Sequence, residues 1–347
     1  MDTKPLTPES SARHTFRFEG SAGEYFKIWI VNLALSVVTL GIFSAWAKVR
    51  SKRYLYGNTF IGAHAFDYHA QPLRILLGRA IAVTLILIYS LTLVFAKQFI
   101  GLLYLIFGIA LPWLAMSSLR FSARNTSYRN IRFDFEGDYG GAFAAYILWQ
   151  GLAAITLFIA FPFAHRARDY YTINNHCFGS MPFSAEIPVG ELYLIYLAGL
   201  GAFLSFIVGG ALLGLGFSWL TLRPVLSTVT AVEIPAYVLG FLTAASFVGA
   251  RTLDLALNNT RLGKAFWFES RLSGLRMAWI VTSNLVVSLV TLGLLYPWAR
   301  VRRARYMASC ISVVGPAELD ISQAAIPAGG SAVGEEIAGF FDVDFGL

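Results

Sequence analysis

The chain has 347 residues, of which 56% are hydrophobic and 14% charged, and its mean hydropathy is +0.61. Soluble proteins carry roughly 25% charged residues, so an ordinary soluble core is excluded. The net charge is +7, but the basic residues crowd the ends of apolar runs and no base-reading motif accompanies them, which excludes nucleic acid as a partner.

Residues 1–20, MDTKPLTPESSARHTFRFEG, hold no apolar stretch behind a basic start, so the first span is expected to act as the insertion signal. Apolar runs then predict seven spans, at about 28–47, 75–96, 99–119, 142–164, 192–222, 235–250 and 277–298. The fifth is long for one upright helix, yet a split would leave two short ones. Strand-like pieces separate the spans: FRFEG at 16–20, FDY at 66–68, FDFEG at 133–137, PFSAE at 182–186 and FWFES at 266–270. Four of them follow an Asn-containing turn, so small turn-and-strand elements are expected at the membrane surface.

The strongest signal is a repeat. Residues 28–54 and 280–306 align without gaps and match at 14 of 27 positions, including Asn32/Asn284, Trp46/Trp298 and Arg50/Arg302. A weaker copy begins at Phe133 and ends in HRARDYY. Three spans separate successive copies, which inverts neighbours and predicts a periplasmic N-terminus and a cytoplasmic C-terminus. The fold expected is therefore all-α and polytopic, with about seven transmembrane helices in inverted repeats and short strand-like surface segments. One membrane domain covers 1–315, with copies at about 16–68, 133–183 and 266–315, and an acidic tail covers 316–347.

The stretches FEGSAGEYFKIWIVN, TLGIFSAWAKVRSKRYLYGNT and GEEIAGFFDVDFGL resemble the YjgN family of bacterial inner-membrane proteins, essentially along the whole chain. The resemblance implies a multi-pass inner-membrane location and carries no activity, substrate or cofactor with it.

Two sets of residues are candidates. On a continuous helix Asn32, Ser36 and Thr39 share a stripe with Trp46, Arg50 and Arg53, and the last copy repeats it as Asn284, Ser288, Thr291, Trp298, Arg302 and Arg305. Such a stripe either lines a hydrated path or glues helices together, and its Trp/Arg collar either holds an anion or anchors the helix at the headgroups. Glu19, Glu136 and Glu269 recur before the single spans and suit the positive end of a helix. Arg79 is the charge placed within a span, and Pro162 and Pro297 fall near span ends, where they would kink or stop a helix. HExxH, GxSxG and the P-loop are absent, and Cys177 and Cys310 stand far apart. No cofactor, metal or enzymatic activity is expected. Membrane lipids are the expected partners, and two readings stay open: passage of a small solute or lipid, or a scaffold that binds partners through its surface strands and tail.

Overall fold

Short strands and paired helices alternate along the chain, and the computed structural model describes residues 11–221 and 225–316. The strands are β1 (Ser11–Phe18), β2 (Thr59–Ile61), β3 (His64–Tyr68), β4 (Thr126–Tyr128), β5 (Ile131–Phe135), β6 (His176–Phe178), β7 (Met181–Ala185), β8 (Thr260–Leu262), β9 (Phe266–Ser270) and β10 (Ile311–Pro316). Each pairs antiparallel with its neighbours in sequence, and β1 pairs with β10, closing a ten-stranded barrel. Tight turns join β2 to β3, β4 to β5, β6 to β7 and β8 to β9 at one end of the barrel. Every connection at the other end is a helical hairpin.

These hairpins are α1 (Ala22–Val38) with α2 (Ser44–Gly57), α3 (Pro72–Phe95) with α4 (Ile100–Arg124), a bent third, α8 (Val189–Thr221) with α9 (Val225–Asn258), and α10 (Gly274–Val290) with α11 (Tyr296–Cys310). In the third, a π turn at Ala144–Leu148 joins α5 (Tyr139–Phe143) to α6 (Trp149–Ile155), and α7 (Phe161–Asn174) returns. Neighbouring hairpins touch through α2–α3, α4–α5, α7–α8 and α9–α10, and α11 packs on α1, so the helices too form a closed ring.

The barrel is closed by its inward side chains. Phe16, Phe66, Phe133, Phe183 and Phe268 stand one on each odd strand, paired across the ladder with Ile61, Tyr128, Phe178, Leu262 and Val313. Next-but-one strands lie about 9.5 Å apart, yet successive Phe rings are 6.1, 6.5, 6.3 and 6.1 Å apart, so these side chains converge on the axis. Their planes differ by only 7° to 31°, so neighbouring rings lie nearly parallel to one another. Charged residues occupy several of the outward positions, as in the pairs Arg17–Glu19 at 3.1 Å and Arg13–Glu269.

Each returning helix is tied to the strand that opens the next hairpin. Arg53 Nε donates to the Tyr68 carbonyl (3.2 Å), Arg120 Nε to Phe135 (3.1 Å), Asn174 Nδ2 to Ala185 (3.4 Å), Asn258 Nδ2 to Ser270 (3.1 Å) and Arg305 Nη2 to Gly20 (3.2 Å). Asn58, Asn125, Asn175 and Asn259 close the returning helices by donating Nδ2 to the carbonyl four residues back. Of the asparagines expected in turns, Asn58, Asn125 and Asn175 are thus helix caps, whereas Asn258 makes the tie to Ser270 and its neighbour Asn259 is the cap.

This architecture overturns the seven-span, all-α, inverted-repeat expectation. Among the described residues four helices are long and apolar enough to cross a membrane, and they form two hairpins: α3 with α4, and α8 with α9. Both helices of every hairpin return to the same end of the barrel, so no copy is inverted, and β1 pairs with β10, which brings the two described ends of the chain together. The strand-like pieces are the odd strands of a closed barrel. Four of the even strands, β2, β4, β6 and β8, have three residues each, too short to show in the sequence.

The expected spans at 28–47, 142–164 and 277–298 are each broken. Thr39-Leu40-Gly41, Thr156-Leu157-Phe158 and Thr291-Leu292-Gly293 turn the chain back, with Leu40, Leu157 and Leu292 at φ 49°, 51° and 51°. Each is a Schellman-type ending: Gly41 N donates to the Ser36 carbonyl (2.7 Å), Phe158 N to Ala153 (2.7 Å) and Gly293 N to Ser288 (2.6 Å). Of the expected span at 192–222, the described residues to 221 lie in one helix, α8, of 33 residues. Glu19, Glu136 and Glu269 do not cap helices; Ser21, Asp138 and Ser273 do. The acidic tail beyond Pro316 lies outside the described residues.

Candidate groove between the first and last hairpins

A groove of about 350 Å³ opens between α1, α2 and the start of α11. Its floor is built by the sequence of α2, where KVRSKR places Lys48, Ser51 and Lys52 on one face at helical spacing, and Arg300 enters from α11. Lys48, Lys52 and Arg300 are the cations among the described residues that line it. Trp29 on α1 and Tyr296 on α11 meet at 6.3 Å and form one wall. Aromatic and basic side chains together mark the headgroup level of a bilayer. Above them Ser36, near the end of α1, and Ser44, at the start of α2, carry polar lining toward the hairpin tip. The tip itself is apolar and bare, with Leu40 95% exposed.

The hairpin beside the groove is braced by a polar clamp. Asn32, 4% exposed, donates Nδ2 to the Ala47 carbonyl (3.3 Å) and accepts from Arg50 Nη1 (3.1 Å). The last hairpin repeats the arrangement: Asn284 donates to the Ala299 carbonyl (3.1 Å) and accepts from Arg302 Nη1 (2.9 Å), which also donates to Ser283 Oγ (2.8 Å). A tyrosine then ties the foot of each short hairpin: Tyr54 Oη donates to the Ser21 carbonyl (3.0 Å), Tyr171 to Asp138 (2.8 Å) and Tyr306 to Ser273 (3.3 Å). Burial raises the phenol of Tyr54 above its ordinary pKa, and the hydrogen bond to Glu24 adds to the effect.

The residues of the expected stripe separate into distinct roles, because the helix breaks between Thr39 and Arg50. Asn32 and Asn284 are clamps, and Asn32 also borders the groove with Ser36. Ser288 is half-buried on α10. Thr39 and Thr291 sit in the turns. Trp46 stacks near Phe43 (6.1 Å), and Trp298 lies under the Arg302 guanidinium (5.1 Å). Arg50 and Arg302 belong to the clamps, while Arg53 and Arg305 belong to the ties between hairpins. The structure therefore does not gather the four collar arginines into one site.

Sequence reasoning passed over Lys48, Lys52 and Arg300, the cations that do line the groove. Their signal was present in the KVRSKR and RVRRAR runs but was read along the wrong helical face. Arg79 reaches Ser44 at the groove's upper edge. Glu233 on α9 was also missed; its buried Oε2 has no hydrogen-bond partner among the described residues and lies 4.0 Å from where a Cβ on Gly210 would stand.

The family described as bacterial protein of unknown function (DUF898) matches residues 13–340. The inner membrane protein YjgN of Salmonella typhimurium is 26% identical over 360 residues, covering 89% of this chain and 91% of that protein. Its namesake in Escherichia coli O157:H7 is 32% identical over 123 residues, which cover 35% of this chain and 31% of that one. No solved structure matches the chain.

Proposed function

The chain belongs to the DUF898 family and is a multi-pass protein of the bacterial inner membrane, and on that premise we propose that it is a non-catalytic lipid-handling protein whose groove holds the anionic headgroup of a phospholipid. The observation that carries this reading is the convergence of Lys48, Lys52 and Arg300 on one groove that also holds Asn32, Ser36, Ser44 and Ser51. Cations at headgroup level attract anionic lipid by about 1 kcal/mol each, roughly fivefold in binding. The serines and Asn32 above them supply neutral hydrogen-bonding groups for phosphate and glycerol oxygens. Leu33 and Leu55 on the rim offer apolar contact to the acyl chains.

The scaffold reading has less to work with. Partner binding by strand addition needs a free edge, and the ten described strands leave none. The test is photolabelling in nanodiscs with a phosphatidylglycerol that carries a photoreactive group. Wild-type protein should be labelled at the groove, and Lys48→Ala/Lys52→Ala/Arg300→Ala should lose most of that label. Equal labelling of the two proteins would remove the headgroup site.

A further inference from the structure

The groove lies where the ring of hairpins closes, and that junction is unlike the other four. Around the ring the hairpins run short, long, short, long, short, and the closing contact of α11 with α1 makes two short hairpins neighbours there alone. α1 and α10 have 17 residues each, against 33 and 34 in α8 and α9. A helix of that shorter length is about 25 Å long. Its first turns hold Glu24 and Lys27, or Arg276, which stay with the headgroups. The apolar remainder reaches roughly 15–20 Å into a hydrocarbon core of about 30 Å. The turns at Leu40 and Leu292 thus end inside the bilayer, with 95% and 93% of their leucine surfaces uncovered by protein.

A membrane-embedded segment too short for the bilayer draws the far leaflet toward it and thins the membrane locally. Two such hairpins side by side make this junction the thinnest sector, flanked around the ring by hairpins of full length. The groove lies in the same sector, and its polar lining climbs from Lys52 and Lys48 to Ser44 and Ser36, within about a turn or two of the tip. The main barrier to moving a lipid between leaflets is the desolvation of its polar headgroup. Here hydroxyl and amide groups replace water for the near half of the journey, and local thinning shortens the other half.

We infer that this junction is a route by which phospholipid headgroups cross the bilayer, so that the protein equilibrates lipid between the two leaflets. The inference rests on the groove being a headgroup site. The acyl chains remain in lipid beside the bare tips while the headgroup follows the groove. The movement is passive and runs in both directions.

The test uses the full-length protein in dioleoyl phosphatidylethanolamine/phosphatidylglycerol vesicles holding phosphatidylglycerol with a fluorescent acyl chain. Dithionite added outside bleaches the outer leaflet only, so protein-free vesicles lose half their signal. With wild-type protein nearly all of the signal should be lost. Ser36→Leu, which fills the upper groove, should slow the second half about tenfold, equivalent to a modest rise in barrier, while Ser36→Thr should not. Wild-type protein in vesicles of 22-carbon chains should also slow, because a thicker bilayer restores the barrier. If wild-type vesicles stop at half while photolabelling at the groove persists, the crossing route is wrong and the headgroup site stands. If photolabelling is lost as well, the groove reading fails with it. A rate unchanged by both Ser36→Leu and bilayer thickness would place any crossing elsewhere and overturn the route.

Discussion

The short and long hairpins solve the same problem with different chemistry. In α8/α9 the helices close on small residues: a Cβ on Gly199 would stand 2.3 Å from Val248, and one on Gly210 would stand 2.6 Å from Ala236. This is the small-residue packing expected of two apolar helices in lipid. The first and last short hairpins instead carry polar clamps, and all three short hairpins carry a threonine at the turn. A helix end within the hydrocarbon leaves backbone groups that no water can satisfy. Thr39 answers this with one side chain, donating Oγ1 to the Leu35 carbonyl (2.7 Å) and accepting from Phe43 N (2.9 Å). Thr156 and Thr291 do the same, each bridging the end of one helix and the start of the next. A hairpin that crosses fully can leave its ends to water, whereas one that stops midway must carry its own caps.

The clamp offers the largest effect by which to break this comparison. Asn284→Leu leaves Arg302 without its amide partner in a part-buried site, and hydrogen bonds to charged groups are worth about 1.5–3 kcal/mol. Thermal unfolding in detergent should show a loss of that size. Asn284→Leu/Arg302→Leu should recover much of it, because removing both partners leaves no orphan. A double variant no more stable than the single one would show that the clamp is not what braces the hairpin.

The turn threonine gives a smaller effect. Thr291→Val keeps the shape and removes both hydrogen bonds, which should cost about 1 kcal/mol, in the range of a lost helix cap. The same measurement on Tyr89→Phe in the long hairpin, which deletes an exposed hydroxyl contact to Tyr104 (3.2 Å), should show almost no change. Equal losses at the two sites would erase the distinction between the hairpins.

The membrane character and the odd strands were legible in the sequence, because apolar length and alternation with Phe are local signals. The hairpin turns were not, because leucine occupies the left-handed position where glycine is usual, at a cost of about 1–2 kcal/mol. A Thr-Leu-Gly inside an apolar run therefore looks like uninterrupted helix. Pro162 and Pro297 were the available warning: each opens the returning helix, where a proline lacking an N–H is tolerated. With the break unseen, one stripe was drawn across two antiparallel helices. Arg50 and Arg302 were thereby separated from the asparagines they bind, and Lys48, Lys52 and Arg300 went unnoticed. The three-residue strands β2, β4, β6 and β8 pair over as few as two residues, as at Phe60–Ala65 and Ile61–His64, and only tertiary contacts define them.

The central claim is that every hairpin leaves and returns on the barrel side. The basic runs KVRSKR, HRARD and RVRRAR all lie on returning helices, and by the positive-inside rule they lead us to expect that side in the cytoplasm. Single cysteines at Gly23, Gly57 and Gln98, in a chain freed of Cys177 and Cys310, test both at once. All three positions are exposed, and neither glycine has atoms within 4 Å of an added Cβ. The account predicts that a membrane-impermeant maleimide added to intact cells labels Gln98→Cys alone, while Gly23→Cys and Gly57→Cys react only after the inner membrane is opened. Labelling of positions 23 and 57 from opposite sides would mean that the first hairpin crosses the bilayer, and would contradict the fold's one-sided entry.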